Sequence, residues 1–177
     1  MNAQKSLYEI EVAIAKTHKF NYLKNIVVFN VNGISEKLPI FHECDVLILS
    51  KSGYLTEIEI KRSWSDFLAD FKKKYKHNSR GIIKYFYYCI PENLLDKVRD
   101  KLAEEEIEYT GIITYNEDLF IKFYPAKFKI WDGSYIESER TMIGASKLYL
   151  EQQLELARLG TMRVINLKEK LIKVSKN

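Results

Sequence analysis

The hydrophobic positions along the chain follow two different spacings. Apolar residues at every third or fourth position predict helices over residues 6–18, 64–76, 91–105 and 141–174, the last one broken near Gly160. β-Branched and aromatic runs predict strands over residues 25–31, 82–90, 109–115 and 119–124, and a two-stranded hairpin over residues 44–61. This order predicts an α/β (α+β) fold with a central mixed sheet, flanking helices and an extra C-terminal helix.

Besides Glu57, three charged residues interrupt the strands of the apolar hairpin over residues 44–61. They are Asp45 in the first strand, and Glu59 and Lys61 in the second. A buried charge strongly lowers stability unless it is paired with an opposite charge or bound to a metal ion. Two interpretations follow: an ordinary ion pair between Glu59 and Lys61 on a half-exposed strand, or a site that uses all three residues.

The turn of this hairpin decides whether the three charges meet. Side chains alternate along a strand, so Glu59 shares a face with Lys61, and Asp45 shares a face with Leu47. A three-residue connection with Gly53 in the left-handed region sets Asp45 opposite Glu59. A two-residue turn shifts the register by one residue and sets Asp45 opposite an isoleucine. A shared site therefore requires the three-residue connection or a bulge.

The residue types of the hairpin suit phosphodiester hydrolysis. The carboxylates of Asp45 and Glu59 and the carbonyl of Ile60 are the hard oxygen ligands that Mg²⁺ prefers. A bound Mg²⁺ stabilises charge that develops on a phosphate and orients the reacting groups. The Lys61 ammonium can orient the attacking water and offset negative charge.

The chain is mildly basic, and its positive charge is unevenly distributed. The 177 residues include 28 Lys and Arg against 24 Asp and Glu, which gives a net charge of +4. Two interpretations apply to the basic segment that follows the hairpin: a solvated helix end that complements the helix dipole, or a surface that contacts DNA phosphates. The basic residues of this segment are Lys72, Lys73, Lys74, Lys76 and Arg80.

The composition predicts one domain with a substantial core and no membrane segment. The first 16 residues lack the uninterrupted apolar stretch of a signal peptide. Cys44 and Cys89 lie in apolar runs, where reduced thiols are commoner than disulfides, so we expect a reducing, cytoplasmic setting. His42 and Cys44 lie two residues apart, but this pair offers too few ligands to predict a structural zinc ion.

Four segments of the sequence carry a resemblance to known proteins. They are Glu43-Cys44-Asp45-Val46-Leu47, Glu57-Ile58-Glu59-Ile60-Lys61, Ser65-Asp66-Phe67 with Asp70, and the strand from Tyr85 to Pro91. Through them the stretch from His42 to Pro91, with a looser match over residues 112–124, resembles the MmcB-like DNA-repair proteins and related phage proteins of the PD-(D/E)xK superfamily of nucleases. Cys44 stands where the proline that names the superfamily would stand.

The resemblance implies a restriction-endonuclease-like αβββαβ core, a Mg²⁺ or Mn²⁺ requirement and a DNA substrate. It assigns the metal-site aspartate to Asp45, the motif glutamate to Glu59 and the lysine to Lys61. Many members carry a glutamate on the first helix that reaches the metal, and this position falls on Glu11, beside an apolar helix face. The alternative is that Glu11 lies at the helix boundary with only its methylene groups buried and its carboxylate in solvent. Asp66 and Asp70 match an acidic pair on the following helix, for which no role is assigned.

We therefore expect a metal-dependent DNA nuclease of repair, recombination or phage DNA processing. A catalytically inactive DNA-binding protein on the same fold is the alternative, because a fold alone does not determine activity. Residues 1–140 are expected to form the nuclease-like domain, and residues 141–177 a helical extension packed on it. Two interpretations apply to this C-terminal helix: an interface that forms a homo-oligomer, or a substrate-specific addition. A truncation after Arg140 would test its role in assembly.

Overall fold

A computed structural model describes residues 4–34, 37–72, 81–107, 109–129, 134–138 and 145–175. The helices are α1 (Leu7–Lys16), α2 (Trp64–Phe71), α3 (Leu95–Glu104) and α4 (Leu150–Val174), with a 3-10 turn over Glu92–Leu94. The strands are β1 (Ile26–Ile34), β2 (Pro39–Leu49), β3 (Leu55–Ile60), β4 (Ile83–Pro91), β5 (Thr110–Tyr115), β6 (Ile121–Tyr124), β7 (Ala126–Lys129) and β8 (Tyr135–Ser138).

Six strands form one mixed sheet in the order β1-β2-β3-β4-β5-β6. Strands β3, β4 and β5 run parallel to one another, whereas β1, β2 and β3 form an antiparallel meander. Strands β7 and β8 form a separate antiparallel pair. The expected mixed α/β fold with flanking helices is confirmed, and its first six elements follow the order αβββαβ.

The two faces of the sheet are covered by different helices. Helix α1 packs Ile10 and Ile14 against one face, together with Val46 and Ile58 of the hairpin. On the other face, α2 and α3 enclose one apolar cluster, which includes Phe67 of α2. A third cluster joins the first half of α4 to β1, β2 and β3. The end of the β2–β3 hairpin therefore lies between helices of both layers.

Several element boundaries differ from the sequence prediction. Helix α4 begins at Leu150, and residues 145–149 before it are not helical. The predicted break near Gly160 is wrong, because α4 runs unbroken through this residue. A Cβ atom at Gly160 would lie 3.3 Å from both γ-methyl carbons of Val28. The glycine thus allows α4 to approach β1 closely. The hairpin of β7 and β8 was not predicted.

Helix α4 packs on the same domain, and its buried residue, Leu156, lies in its first half. Leu148, just before the helix, and Leu156 are buried in the cluster shared with β1 and β2. A truncation after Arg140 would remove both side chains from the core, so it would disturb folding as well as assembly. Most of the apolar residues in the second half are exposed: Met162, Val164, Ile165, Leu171, Ile172 and Val174. Among the described residues, no helix combines the length and apolar character needed to cross a bilayer.

Replacing Leu156 by alanine tests the attachment of α4. Leu156 is 0 % exposed, so the substitution should lower the free energy of unfolding by about 2–5 kcal/mol through lost burial and the cavity left behind. Leu171→Ala on the same helix is the matched control, because Leu171 is 68 % exposed. Urea unfolding of both variants measures the difference. Equal stabilities of the two variants would contradict a packed α4.

Candidate metal centre

The hairpin turn has the three-residue geometry that a shared site requires. The Ser50 N–H donates to the Tyr54 carbonyl at 3.0 Å, and the Gly53 N–H donates to the Ser50 carbonyl at 2.9 Å. Gly53 has a positive φ of 85°, a conformation that glycine adopts without steric strain. The resulting register pairs Val46 with Ile58. Of the two connections that the sequence allowed, the three-residue one is observed, and Asp45 and Glu59 are the next positions beyond the last paired residues.

Strands β2 and β3 separate at Asp45. The Asp45 Oδ2 accepts the Ile60 N–H at 2.7 Å, so a side chain replaces the backbone acceptor that β2 would supply. On the other side of β3, the Lys61 N–H donates to the Cys89 carbonyl at 2.8 Å. The N–H and C=O of one strand residue face the same neighbouring strand. The Ile60 carbonyl therefore faces the side on which Asp45 lies.

The alternation of side chains along β2 breaks at Asp45. Cys44 packs in the same cluster as Leu47, whereas Val46 packs on the opposite face. The expectation that Asp45 shares a face with Leu47 is therefore corrected: Asp45 lies where the regular alternation of β2 side chains between the two sheet faces is broken. In β1, the facing position is Asn30, which has a positive φ of 50°. Both strands change face together at this pair.

Glu11 is buried beside this break. The Asn30 side-chain amide donates to the Glu11 Oε1 at 2.6 Å. Burial raises the pKa of Glu11 to about 7; the Asn30 hydrogen bond opposes this rise, and the charge of Asp45 adds to it. The buried carboxyl is therefore close enough to Asp45 for their charges to interact. Asn30 was missed from the sequence, where its only signal is that asparagine tolerates positive φ.

Lys61 is enclosed by two carboxylates. Its Nζ lies 3.1 Å from the Glu59 Oε2 and 2.9 Å from the Asp70 Oδ1, and all three residues are at least 96 % buried. Burial alone would lower the pKa of Lys61, but the charges of Glu59 and Asp70 and their hydrogen bonds outweigh it and raise the pKa. The Tyr88 hydroxyl donates to the Asp70 Oδ2 at 2.9 Å. The ammonium group is thus held charged inside the protein.

The two aspartates of α2, Asp66 and Asp70, have different roles. Asp66 accepts the Arg62 N–H at 3.1 Å, and its own N–H donates to the Ser63 Oγ at the start of the helix. Asp66 therefore fixes the turn that follows β3. Asp70 lies one turn further along and points inward to Lys61. The burial of Asp70 against Lys61 could not be predicted from the sequence.

The predicted basic surface is only partly described. Lys72 is exposed and follows the last residue of α2. Lys73, Lys74, Lys76 and Arg80 lie outside the described residues.

A cleft of about 1060 Å³ lies at the carboxyl ends of β3, β4 and β5. This is the end of the sheet at which Asp45 meets Ile60. In open sheets with parallel strands, ligands bind at this end. The lining includes Lys5, Arg62, Trp64, Tyr115 and Asn116.

The predicted ligands are not a tight set. Within the described ranges, the group of metal-ligating side chains whose donor atoms all lie within 4.8 Å of one another is His42, Cys44 and Glu57. Glu11, Asp45 and Glu59 do not form such a group among these residues. They surround the separation of β2 and β3 from both faces, and the Glu59 carboxylate is directed to Lys61.

Glu11→Gln should make stability less dependent on pH. The folded pKa of about 7 exceeds the ordinary value of 4.5, so the unfolded chain releases this proton first as pH rises. The wild type therefore loses stability between pH 4.5 and 7, by about 2–3 kcal/mol. Glutamine retains the acceptor for Asn30 but does not titrate. Urea unfolding in EDTA at pH 5 and pH 8 should show a smaller difference for Glu11→Gln than for the wild type.

The exposed Glu43→Gln is the control and should keep the wild-type dependence. An unchanged pH dependence in Glu11→Gln would show that Glu11 titrates normally.

Comparisons with known proteins support the fold. No family model matches the chain, and no curated protein matches it. A solved structure, the SPO1766 protein of unknown function from Silicibacter pomeroyi, is similar with a TM-score of 0.57 and 12 % sequence identity. The similarity covers 99 % of this chain and 97 % of that one. At this identity, the similarity shows that the two proteins share a mixed α/β fold and nothing more.

Proposed function

We propose that this protein is a metal-dependent nuclease that hydrolyses phosphodiester bonds in DNA. The observation that carries the proposal is that Asp45 binds the Ile60 N–H where β2 and β3 separate, with the buried Glu11 close enough for its charge to interact with that of Asp45. Glu59 lies on β3 one residue before Ile60, with its carboxylate on Lys61. The αβββαβ order of the elements is also the one that the PD-(D/E)xK resemblance implies.

The donor atoms of this site fit Mg²⁺ or Mn²⁺. Carboxylate and carbonyl oxygens are the ligands that such hard cations prefer. The residues that would hold the ion are Asp45, Glu59 and Ile60, with Glu11 as an outer ligand. Joint binding by Asp45 and Glu59 requires the Glu59 side chain to rotate from Lys61. When bound, the cation supplies Lewis-acid stabilisation of the phosphate.

The other roles in the proposed reaction would be performed by the protein's own side chains. Lys61 would position the attacking water and offset the charge that develops on the phosphate, for which its raised pKa keeps it protonated. Asp70 and Tyr88 hold Lys61 in place. Lys72 and the basic residues after it would contact the phosphates of bound DNA. The cleft is lined by Arg62, the residue after Lys61, and not by the side chains proposed for the reaction.

Cleavage of three labelled DNA substrates tests the proposal. Supercoiled plasmid, single-stranded DNA and a four-way junction are incubated with Mg²⁺, Mn²⁺ or EDTA. We expect cleavage of at least one substrate with a divalent metal and none in EDTA. Absence of cleavage in every case would contradict the nuclease proposal.

A DNA-binding protein without catalysis is the second candidate. It is favoured by the burial of Glu59 and Lys61, which are 3 % and 4 % exposed, and by the two carboxylates that surround the Lys61 ammonium. In this alternative, the charged network stabilises the hairpin, and only the basic surface contacts DNA. Binding of all three substrates without cleavage would support it.

Self-association through α4 remains a prediction. The exposed apolar residues of its second half include Ile165 and Ile172, which lie seven residues apart and share one helix face. A second copy of the chain could cover this face. Substitution of these exposed positions separates assembly from folding better than a truncation that also removes Leu156.

A further inference from the structure

Three metal-ligating side chains meet at a second place on the hairpin. The Nε2 of His42 lies 2.6 Å from the Glu57 Oε1 and 3.4 Å from the Cys44 Sγ. His42 and Cys44 come from β2, and Glu57 from β3. The break in alternation at Asp45 brings Cys44 to the face of β2 on which Leu47, the partner of Glu57, lies. A regular strand would place the thiol on the opposite face.

The convergence differs from that of a nucleophilic triad. In such a triad, the carboxylate contacts one imidazole nitrogen and the nucleophile contacts the other. Here the thiol and the carboxylate approach the same nitrogen of His42. The His42 Nε2 and the Glu57 Oε1 are hydrogen-bonded at 2.6 Å, and the donor atoms of all three side chains lie within 4.8 Å of one another, close enough to hold a metal ion.

The donor set suits a borderline cation. Thiolate, imidazole and carboxylate together favour Zn²⁺ or Co²⁺, whereas Mg²⁺ and Mn²⁺ favour oxygen ligands. Tetrahedral bond lengths of zinc place a ligating sulfur and nitrogen about 3.5 Å apart, and a ligating nitrogen and oxygen about 3.3 Å apart. The observed sulfur-to-nitrogen distance of 3.4 Å fits. The observed nitrogen-to-oxygen distance of 2.6 Å must open by a small side-chain rotation.

The surroundings of the three ligands favour a cation. Cys44 and Glu57 are fully buried, whereas the His42 side chain is 16 % exposed. The carboxylates of Glu57, Glu59 and Asp45 are close enough to Cys44 for their negative charges to act on its thiol. A divalent cation would offset this concentration of negative charge. The partial exposure of His42 gives an ion access to the three side chains.

We propose that His42, Cys44 and Glu57 bind a zinc-like divalent cation that links β2 to β3. This site shares no ligand with the proposed Mg²⁺ or Mn²⁺ centre and does not depend on the nuclease function. Binding replaces the thiol proton of Cys44 by the metal, and the proton passes to solvent. Because the ion joins two strands next to their separation, it should raise the melting temperature of the folded chain.

Titration of the metal-free protein with Co²⁺ tests the site. A ligating thiolate gives Co²⁺ a sulfur-to-metal charge-transfer absorption, and a tetrahedral site gives intense visible bands. We expect one Co²⁺ per chain with both signals, their loss on addition of Zn²⁺, and a higher melting temperature with Zn²⁺. Failure of the wild type to bind, or binding without a thiolate band, would overturn the proposal.

Matched variants locate the ligands. Cys44→Ala should abolish the charge-transfer band, whereas Cys89→Ala, which removes the other buried free thiol, should retain it. His42→Gln should weaken Co²⁺ binding at least tenfold, and its partly exposed position makes it the variant that is easier to fold. Retention of the band in Cys44→Ala would refute the assignment. Asp45→Asn should retain the band even where it abolishes DNA cleavage, which separates this site from the nuclease proposal.

Discussion

Replacing Asp45 by asparagine is expected to lower the rate of metal-dependent DNA cleavage by about 10³-fold or more, while the protein keeps its fold. Asparagine can still accept the Ile60 N–H that Asp45 Oδ2 accepts at 2.7 Å, so the end of the β2–β3 ladder is retained. It lacks the negative charge that would hold a divalent cation. Loss of a group that stabilises the transition state has effects of this size.

The control for this experiment is Glu43→Gln, an exposed carboxylate two residues earlier on β2. Its cleavage rate should equal that of the wild type. Initial rates are measured on the substrate that the wild type cleaves best, and DNA affinity is measured in EDTA. A rate for Asp45→Asn within a few-fold of the wild type would exclude Asp45 from the reaction.

Lys61→Met is expected to lower the free energy of unfolding by about 3–5 kcal/mol, because it leaves Glu59 and Asp70 buried without their shared ammonium. The two carboxylates lie 3.1 and 2.9 Å from the Lys61 Nζ. Methionine has a similar length and fills the same volume, so the change removes mainly the charge. Arg62→Met, at the exposed next position, should change stability by less than about 1 kcal/mol.

The effect of Lys61→Met should depend on pH. Without the ammonium, burial and mutual repulsion should raise the folded-state pKa values of Glu59 and Asp70 above their unfolded values. Groups with a raised folded pKa lose stability as pH rises, so the defect should be larger at pH 8 than at pH 5. Urea unfolding at both values measures it. A defect that is small and independent of pH would contradict the buried network.

The hairpin could be predicted from the sequence because its determinants are local. The apolar spacing identified both strands, but it left two turn lengths open; Gly53 at positive φ gives the three-residue connection that is observed. The pairing of Lys61 with Glu59 follows from their spacing of two residues along one strand. The αβββαβ order also follows from the pattern of helices and strands.

The rest depends on how distant elements pack. Asp70 meets Lys61 because α2 packs back on the sheet, where Phe67 contacts Tyr88 of β4, and no local spacing records this contact. Asn30 acquires its role from its position opposite Asp45, through a break in alternation that neither strand shows in its sequence. The same break brings Cys44 to Glu57. Helix α4 begins later than predicted, because its start depends on contacts made by Leu148.

The measurement that tests the central claim most directly is a titration of the metal-free protein with Mn²⁺. Binding is monitored through the electron paramagnetic resonance signal of free Mn²⁺. The wild type should bind an ion that Asp45→Asn and Glu59→Gln each bind at least tenfold more weakly. His42→Gln should bind Mn²⁺ with unchanged affinity, because His42 is not a ligand of the centre formed by Asp45 and Glu59. Wild-type affinity in both carboxylate variants, or no binding by the wild type, would contradict a cation centre shared by Asp45 and Glu59.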